Sequence, residues 1–283
     1  MRPANVVTSV ADVLAGIAIS GYFLSGHIDY TSVFLLCFST VGLYAGGIVF
    51  NDVFDADLDK IERPERAIPS GAISISEAVV LGCVLLVIGI ISALSFSLFS
   101  GIIAIAIALA ALFYNKVSKH YSLLGPLNMG LCRGMNLWLG LSILSYSFNQ
   151  WQILGMIPLI YIFSITMISQ GEVNGGNTGK LYTGGLLYLV VICFILTVSR
   201  IQENVLTTLV FLIPFAIMIL TSLFKAIENP VGKNIGKAVK AGVISLILMD
   251  AAWAAAFGAV YAAIAIACLL PISIWLSKRF AVT

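Results

Sequence analysis

Four aspartates lie within eight residues, Asp52, Asp55, Asp57 and Asp59, directly after an apolar run. One Asp at the centre of a bilayer helix costs about 2.5 to 3.5 kcal/mol, so four would cost roughly 10 to 14 kcal/mol. The segment 51–59 therefore belongs at a water-filled mouth. If the preceding helix continues by two turns, Asn51, Asp55 and Asp59 share one face at i, i+4 and i+8, with Asp52 beside Asp55. Like charges stacked in this way repel unless a cation lies between them. Magnesium suits such a place, because it takes carboxylate oxygens, keeps several waters and shares its shell with substrate phosphates. Asp57 points away from that face. The plainer alternative is a solvated acidic loop balanced by Lys60, Arg63 and Arg66.

The elements that must position these acids are membrane helices. The chain has 283 residues, 60% of them hydrophobic and only 10% charged, with mean hydropathy +1.06; soluble domains carry about 25% charged residues. A net charge of +2 without basic blocks excludes a nucleic-acid partner. Cys37, Cys83, Cys132, Cys193 and Cys268 lie far apart in apolar runs. They form neither a disulfide framework nor a zinc ligand set, and read as buried small hydrophobes. The first apolar segment carries Asn5, Ser9 and Asp12 without a cleavage pattern, and reads as a retained helix.

A spanning helix needs about 20 apolar residues. Ten runs qualify, near 8–26, 31–51, 74–96, 98–114, 123–145, 151–169, 181–199, 205–224, 237–256 and 259–277. With ten spans nearly all of the 15 Lys and Arg residues fall on one side; Arg200 alone faces the other, and Arg133 lies inside a helix. The positive-inside rule makes the crowded side cytoplasmic. Nine spans would put Lys278 and Arg279 outside, which favours ten. The longer loops, 52–73 and 170–180, lie on the cytoplasmic side and hold most of the ionisable groups. The expected localisation is a multi-pass position in the cytoplasmic membrane, with the acidic loops facing the cytoplasm.

The pattern N-D-x-x-D-x-x-x-D from Asn51, followed by Arg63-Pro64-Glu65-Arg66-Ala67-Ile68-Pro69-Ser70-Gly71, resembles the first aspartate-rich motif of the UbiA superfamily of intramembrane prenyltransferases. Ala67 stands where the family commonly has a second proline. Arg2-Pro3-x-Asn5 resembles the family's entry sequence. Tyr114, Lys119 and Gly125 fit its connection between the fourth and fifth helices. The resemblance implies an all-α membrane protein, a polytopic bundle of nine or ten helices around a central cavity, in one domain over residues 1–283. It implies transfer of an isoprenyl group from an isoprenyl diphosphate to an aromatic or other lipophilic acceptor, with Mg²⁺ as cofactor and membrane lipid as surroundings. Asn51, Asp52, Asp55 and Asp59 would hold the metal, with Asp52, Asp55 and Asp59 as the catalytic acids. Arg66 and Lys119 would touch the diphosphate, as would Arg63 and Arg2. Tyr114 and Asn5 join the substrate-binding set.

The family's second acidic motif should follow the sixth helix. Here Gln170 and Asn174 stand in the places of aspartates and Glu172 is the remaining carboxylate, a second candidate region for metal. The Gly-Glu-Val-x-Gly-Gly form resembles an EboC-like branch. Gln170 and Asn174 also motivate an alternative: a non-catalytic protein of the same fold that binds or transports a lipid or lipid diphosphate.

Other polar residues lie within apolar runs. Arg2, Asn5, Ser9 and Asp12 share a face of the first helix and read as cavity wall. Arg133 either meets the diphosphate, as a substrate-binding residue, or pairs with a buried acid such as Asp12. Asp250, deep in the ninth run, is either a hydrogen-bonded structural acid or a base for the acceptor. Gly42-x-x-x-Gly46 and Gly130-x-x-x-Gly134 are spacings that let helices pack closely.

Overall fold

The computed structural model describes residues 3–170 and 178–279. All of its regular structure among those residues is helical. The apolar runs become α1 (Pro3–Ile19), α2 (Tyr30–Phe54), the short α3 (Ala56–Glu62), α4 (Ile75–Phe96), α5 (Leu98–Lys116) and α6 (Leu124–Leu141). There follow α7 (Ser145–Trp151), α8 (Met156–Ser169), α9 (Thr178–Ile201), α10 (Val205–Glu228), α11 (Gly232–Ala256), α12 (Val260–Ala267) and α13 (Leu269–Arg279).

Eight rods among the described residues are long and apolar enough to cross a membrane, counting α7–α8 and α12–α13 as one each. The two remaining rods are α1, with 17 residues, and α6, with 18. Both are mostly buried and face each other. Their polar residues, which lower their hydropathy, are turned into the bundle rather than toward lipid. The first helix begins earlier than the run 8–26 suggests. Pro3 suits a first helical turn, and the helix ends before Gly21, whose φ of +81° is left-handed.

Helix α11 is the axis of the larger half. Of its most apolar window 89% is buried, against 22% for α10 and for α12–α13. A helix that is apolar all round needs such a place. It packs on α10, α1, α12, α8 and α13, around Trp253, Tyr161, Phe215 and Tyr188. A second core, with Leu36, Leu43, Leu86, Ile103 and Leu139, joins α2, α4, α5 and α6.

Glycines set the closest helix approaches. A Cβ on Gly42 of α2 would lie 2.8 Å from the Leu85 carbonyl oxygen on α4, and one on Gly140 of α6 would lie 2.1 Å from that of Val13 on α1. Gly130 and Gly134 bring α6 equally close to the carbonyls of Leu159 and Gly155. Both four-residue glycine spacings therefore serve helix packing.

The cysteines correct the expectation of buried thiols. Cys83, Cys193 and Cys268 are exposed, Cys37 and Cys132 half-buried, and all are free. On a membrane bundle the outer surface is itself an apolar environment, so a small apolar side chain gains little by facing inward.

Candidate active site

Helix α2 carries the first acids past the end of its apolar stretch and breaks at Asp55, where φ −91° and ψ 1° leave the helical region. The break is shallow. Asp55 N–H still donates to the Asn51 carbonyl at 3.0 Å, and Asp59 N–H to that of Asp55 at 2.8 Å. Register therefore carries over into α3, and the acids keep a common face across the hinge. Asp57 points away, with its side chain 93% exposed and paired with Lys60 at 2.8 Å. That hydrogen bond and the Lys60 charge hold the Asp57 carboxyl below its ordinary value.

After α3 the chain folds into tight turns. Arg66 N–H donates to the Arg63 carbonyl at 3.1 Å and Ser70 N–H to the Arg66 carbonyl at 2.9 Å. Gly71, at φ +77°, reverses the chain. Ser74 and Glu77 then form a reciprocal cap that starts α4. These turns point Arg66 back at the acids. Its Nη1 donates to Asp59 Oδ2 at 2.7 Å and to Asp52 Oδ1 at 3.4 Å. Asp52 and Asp59 thus converge on one nitrogen, and Asp59 is buried.

The other base arrives from the α5–α6 connection. Lys119, in a single 3₁₀ turn over Ser118–His120, pairs through Nζ with Asp55 Oδ1. Two features fix that turn. Asn128 Nδ2 donates to Ser118 Oγ and to the Ala110 carbonyl, both at 3.0 Å. Gly125 has no side chain where a Cβ would meet the Ser118 carbonyl at 3.1 Å and Lys119 Cα at 3.4 Å. The spacing from Tyr114 through Lys119 to Gly125 is therefore a positioning device for the lysine.

Asn51 does not point at the carboxylates' partners. Its Nδ2 donates to Asn115 Oδ1 at 3.1 Å, and buried Asn115 donates to the Gly47 carbonyl at 2.8 Å. Asn115 thereby ties α5 to the acidic end of α2. The sequence reading passed over it, although an amide beside Tyr114 at the end of an apolar run was the signal available.

Arg133 and Asp12 form a separate network deeper in the bundle. Arg133 Nη1 donates to Asp12 Oδ2 at 2.6 Å, Nη2 donates to Thr8 Oγ1 at 2.6 Å, and the guanidinium lies 5.1 Å from the Tyr44 ring centroid. Asn136 donates to the same Asp12 oxygen at 3.1 Å and to the Ser9 carbonyl at 2.7 Å, and accepts from Thr40 at 2.7 Å. Of the two sequence readings of Arg133, the structure displays the buried pairing with Asp12. Asn5 is buried one turn below, on α1. Asp250 is fully buried on α11, with no hydrogen-bond donor at either carboxyl oxygen among the described residues.

A pocket of about 440 Å³ adjoins the acids, lined by Tyr114, Lys119, His120, Ser122, Ser169 and Gln170 among others. Gln170, at the end of α8, accepts from Lys180 Nζ at 2.7 Å and donates through Nε2 to the Ser122 carbonyl at 2.5 Å. Glu172, Asn174 and Arg2 lie outside the described residues. The connections after α2 and α5 and the end of α8 thus meet at one end of the bundle.

Among the described residues no three acid, His or Cys side chains close on a point that could hold a metal ion. The reason is visible in the ion pairs: each acid of the motif is drawn to a base. The residues nevertheless fit a divalent cation, since a guanidinium nitrogen already sits between Asp52 and Asp59. Magnesium asks only one or two carboxylates of a protein when phosphates and waters complete its shell.

The fold and site define the class: a helical membrane bundle with acids and bases gathered at one end. The chain belongs to the UbiA prenyltransferase family, whose model matches residues 13–230. It is 33% identical over 188 residues to the digeranylgeranylglyceryl phosphate synthase of Sulfurisphaera tokodaii, an alignment covering 65% of this chain and 66% of that one. The synthase of Saccharolobus solfataricus is 29% identical over 189 residues, covering 65% of each. The chain thus spans just under two thirds of the length of these relatives. A solved UbiA homologue from Aeropyrum pernix superposes with a TM-score of 0.73 at 16% identity, over 89% of this chain and 98% of that one. A solved structure concerning a digeranylgeranylglyceryl phosphate synthase gives 0.68 at 22%, over 91% and 95%. These two share the fold.

Proposed function

We propose that this protein is a prenyltransferase of the cytoplasmic membrane, moving an isoprenyl group from an isoprenyl diphosphate to a lipophilic acceptor. The observation that supports it most is the interlocked set Asp52, Asp55, Asp59, Arg66 and Lys119, brought together from three separate segments. Asp52, Asp55 and Asp59 would hold Mg²⁺, which neutralises charge on the diphosphate. Arg66 and Lys119, once released from the acids, donate hydrogen bonds to diphosphate oxygens. There they stabilise the negative charge that builds as the allylic C–O bond breaks and its electron pair departs with the diphosphate. The surrounding helices exclude water, so the allylic carbon meets the acceptor rather than a water molecule. The mouth faces the cytoplasm, following the crowding of basic residues on that side.

A second reading has an observation of its own. Both polar atoms of the Gln170 amide are spent on Lys180 and Ser122, so Gln170 supplies no metal ligand as it stands. A protein that binds a lipid diphosphate without turnover would tolerate this.

The test is purification in detergent with Mg²⁺ and labelled geranyl, farnesyl and longer diphosphates, with and without candidate acceptors. The enzyme releases diphosphate in a Mg²⁺-dependent manner, and Asp55→Ala abolishes release. Binding that needs Asp55 but never leads to release favours the second reading.

A further inference from the structure

We infer that Asn115 is a positioning residue for the divalent cation: its amide holds the Asn51 side chain with the carbonyl oxygen turned toward the metal. This rests on the reading in which Asp52, Asp55 and Asp59 hold Mg²⁺. It adds to that site a residue of α5 that touches neither metal nor diphosphate.

A backbone atom sets the direction of the hydrogen bonds. The Gly47 carbonyl oxygen can only accept, so the Asn115 amide must turn its NH₂ group to it, and the two meet at 2.8 Å. The Asn115 carbonyl oxygen is then the atom left for Asn51. Asn51 in turn presents its own NH₂ group, at 3.1 Å. Neither amide can flip alone without setting oxygen against oxygen or NH₂ against NH₂. Gly47 and Asn51 lie one turn apart on the same face of α2, and Asn115 spans both of them from α5.

What this leaves over is Asn51 Oδ1, which accepts no hydrogen bond among the described residues. Asp55 lies one turn further along the same helix face, so that oxygen is placed to join the acids. Orientation matters more for an amide than for a carboxylate, because both carboxylate oxygens accept whereas half of an amide donates. A flipped Asn51 would set N–H groups against the cation. Magnesium also tolerates little departure from octahedral geometry, and partners that orient its ligands typically govern affinity about 10- to 100-fold.

Burial favours this role over a simple clamp between helices. Asn115 is 3% exposed, a place where an apolar side chain would pack without needing partners. Clamping is already provided by Leu43 of α2 and Ile103 and Ile107 of α5, which share one core.

The probe is Mn²⁺ alone, titrated by electron paramagnetic resonance into the full-length protein in detergent. Asn115→Leu should weaken Mn²⁺ binding roughly tenfold, as should Asn51→Ala. Adding Asn115→Leu to Asn51→Ala should weaken it by less than about twofold further, since residues that act through one contact are not additive. A second full loss in the double variant would show that Asn115 acts on the fold at large, and would overturn the inference. So would unchanged affinity in Asn115→Leu while Asp55→Ala abolishes binding, an outcome that leaves the metal reading standing. Mn²⁺ binding indifferent to Asp55→Ala would remove the metal reading and the inference together. Thermal unfolding checks that the variants fold; if Asn115→Leu does not, Asn115→Ser, too short to bridge both partners, decides. Protein that passes these tests yet transfers no prenyl group from any donor keeps Asn115 assigned and removes the enzyme reading.

Discussion

Lys119, from the turn that joins α5 to α6, donates its ammonium to Asp55, the residue at which α2 breaks into α3. Each partner blocks the other's proposed ligand: the lysine sits on an acid proposed to hold metal, and the acid holds a base proposed to meet diphosphate. Lys119→Met therefore has opposite effects on the two. Mn²⁺ alone, followed by electron paramagnetic resonance, should bind a few-fold tighter, because the pair is only partly shielded from water. A non-cleavable diphosphate analogue should bind roughly tenfold weaker. Weaker Mn²⁺ binding in this variant would show that the pair does not restrain the acids.

The buried Arg133–Asp12 pair leads to a stability prediction. Removing one partner strands a charge among apolar residues, at a cost of about 3 to 5 kcal/mol. Arg133→Met and Asp12→Leu should each lower the unfolding midpoint in mild detergent strongly. The double variant should be more stable than either single one, since replacing both partners by apolar side chains leaves no charge unpaired. Additive losses would mean that the pair is not the main interaction of these residues.

Much of this site was legible from residue spacing. Asp52 and Asp59 converge on Arg66 across the hinge, and Asp57 turns outward onto Lys60 as helical geometry requires. Arg133 finds Asp12 because an intramembrane charge needs a partner. What local patterns could not convey were contacts between distant segments. Asn115 reaches Gly47 and Asn51, Asn128 holds Ser118, and Gln170 meets Ser122 and Lys180; none shares a periodicity with its partner. The break at Asp55 was equally hidden, since no proline or glycine marks it. The thiols misled because burial was inferred from hydrophobicity, which on this bundle's surface points outward as readily as inward.

Glycine packing offers an internal control. A Cβ on Gly140 would lie 2.1 Å from a backbone oxygen of α1, whereas one on Gly47 would lie 3.6 Å from the Ala111 Cβ. Gly140→Ala must push α1 from α6 and should destabilise by about 1 to 3 kcal/mol. Gly47→Ala meets only ordinary contact and should be neutral or slightly stabilising in thermal unfolding. Equal effects would mean that α1 and α6 do not pack at this distance.

Gln170→Glu tests how the second acidic region has been rebuilt. A carboxylate at this position would sit where Lys180 already donates at 2.7 Å. The new acid should pair with that lysine before it can attract a cation. Divalent affinity, read by Mn²⁺ titration without diphosphate, is expected to change by less than about twofold, as for other partly exposed ion pairs. A large rise in Mn²⁺ affinity would instead show that one carboxylate at position 170 suffices to recruit metal. Lys180 would then be only an incidental neighbour of Gln170.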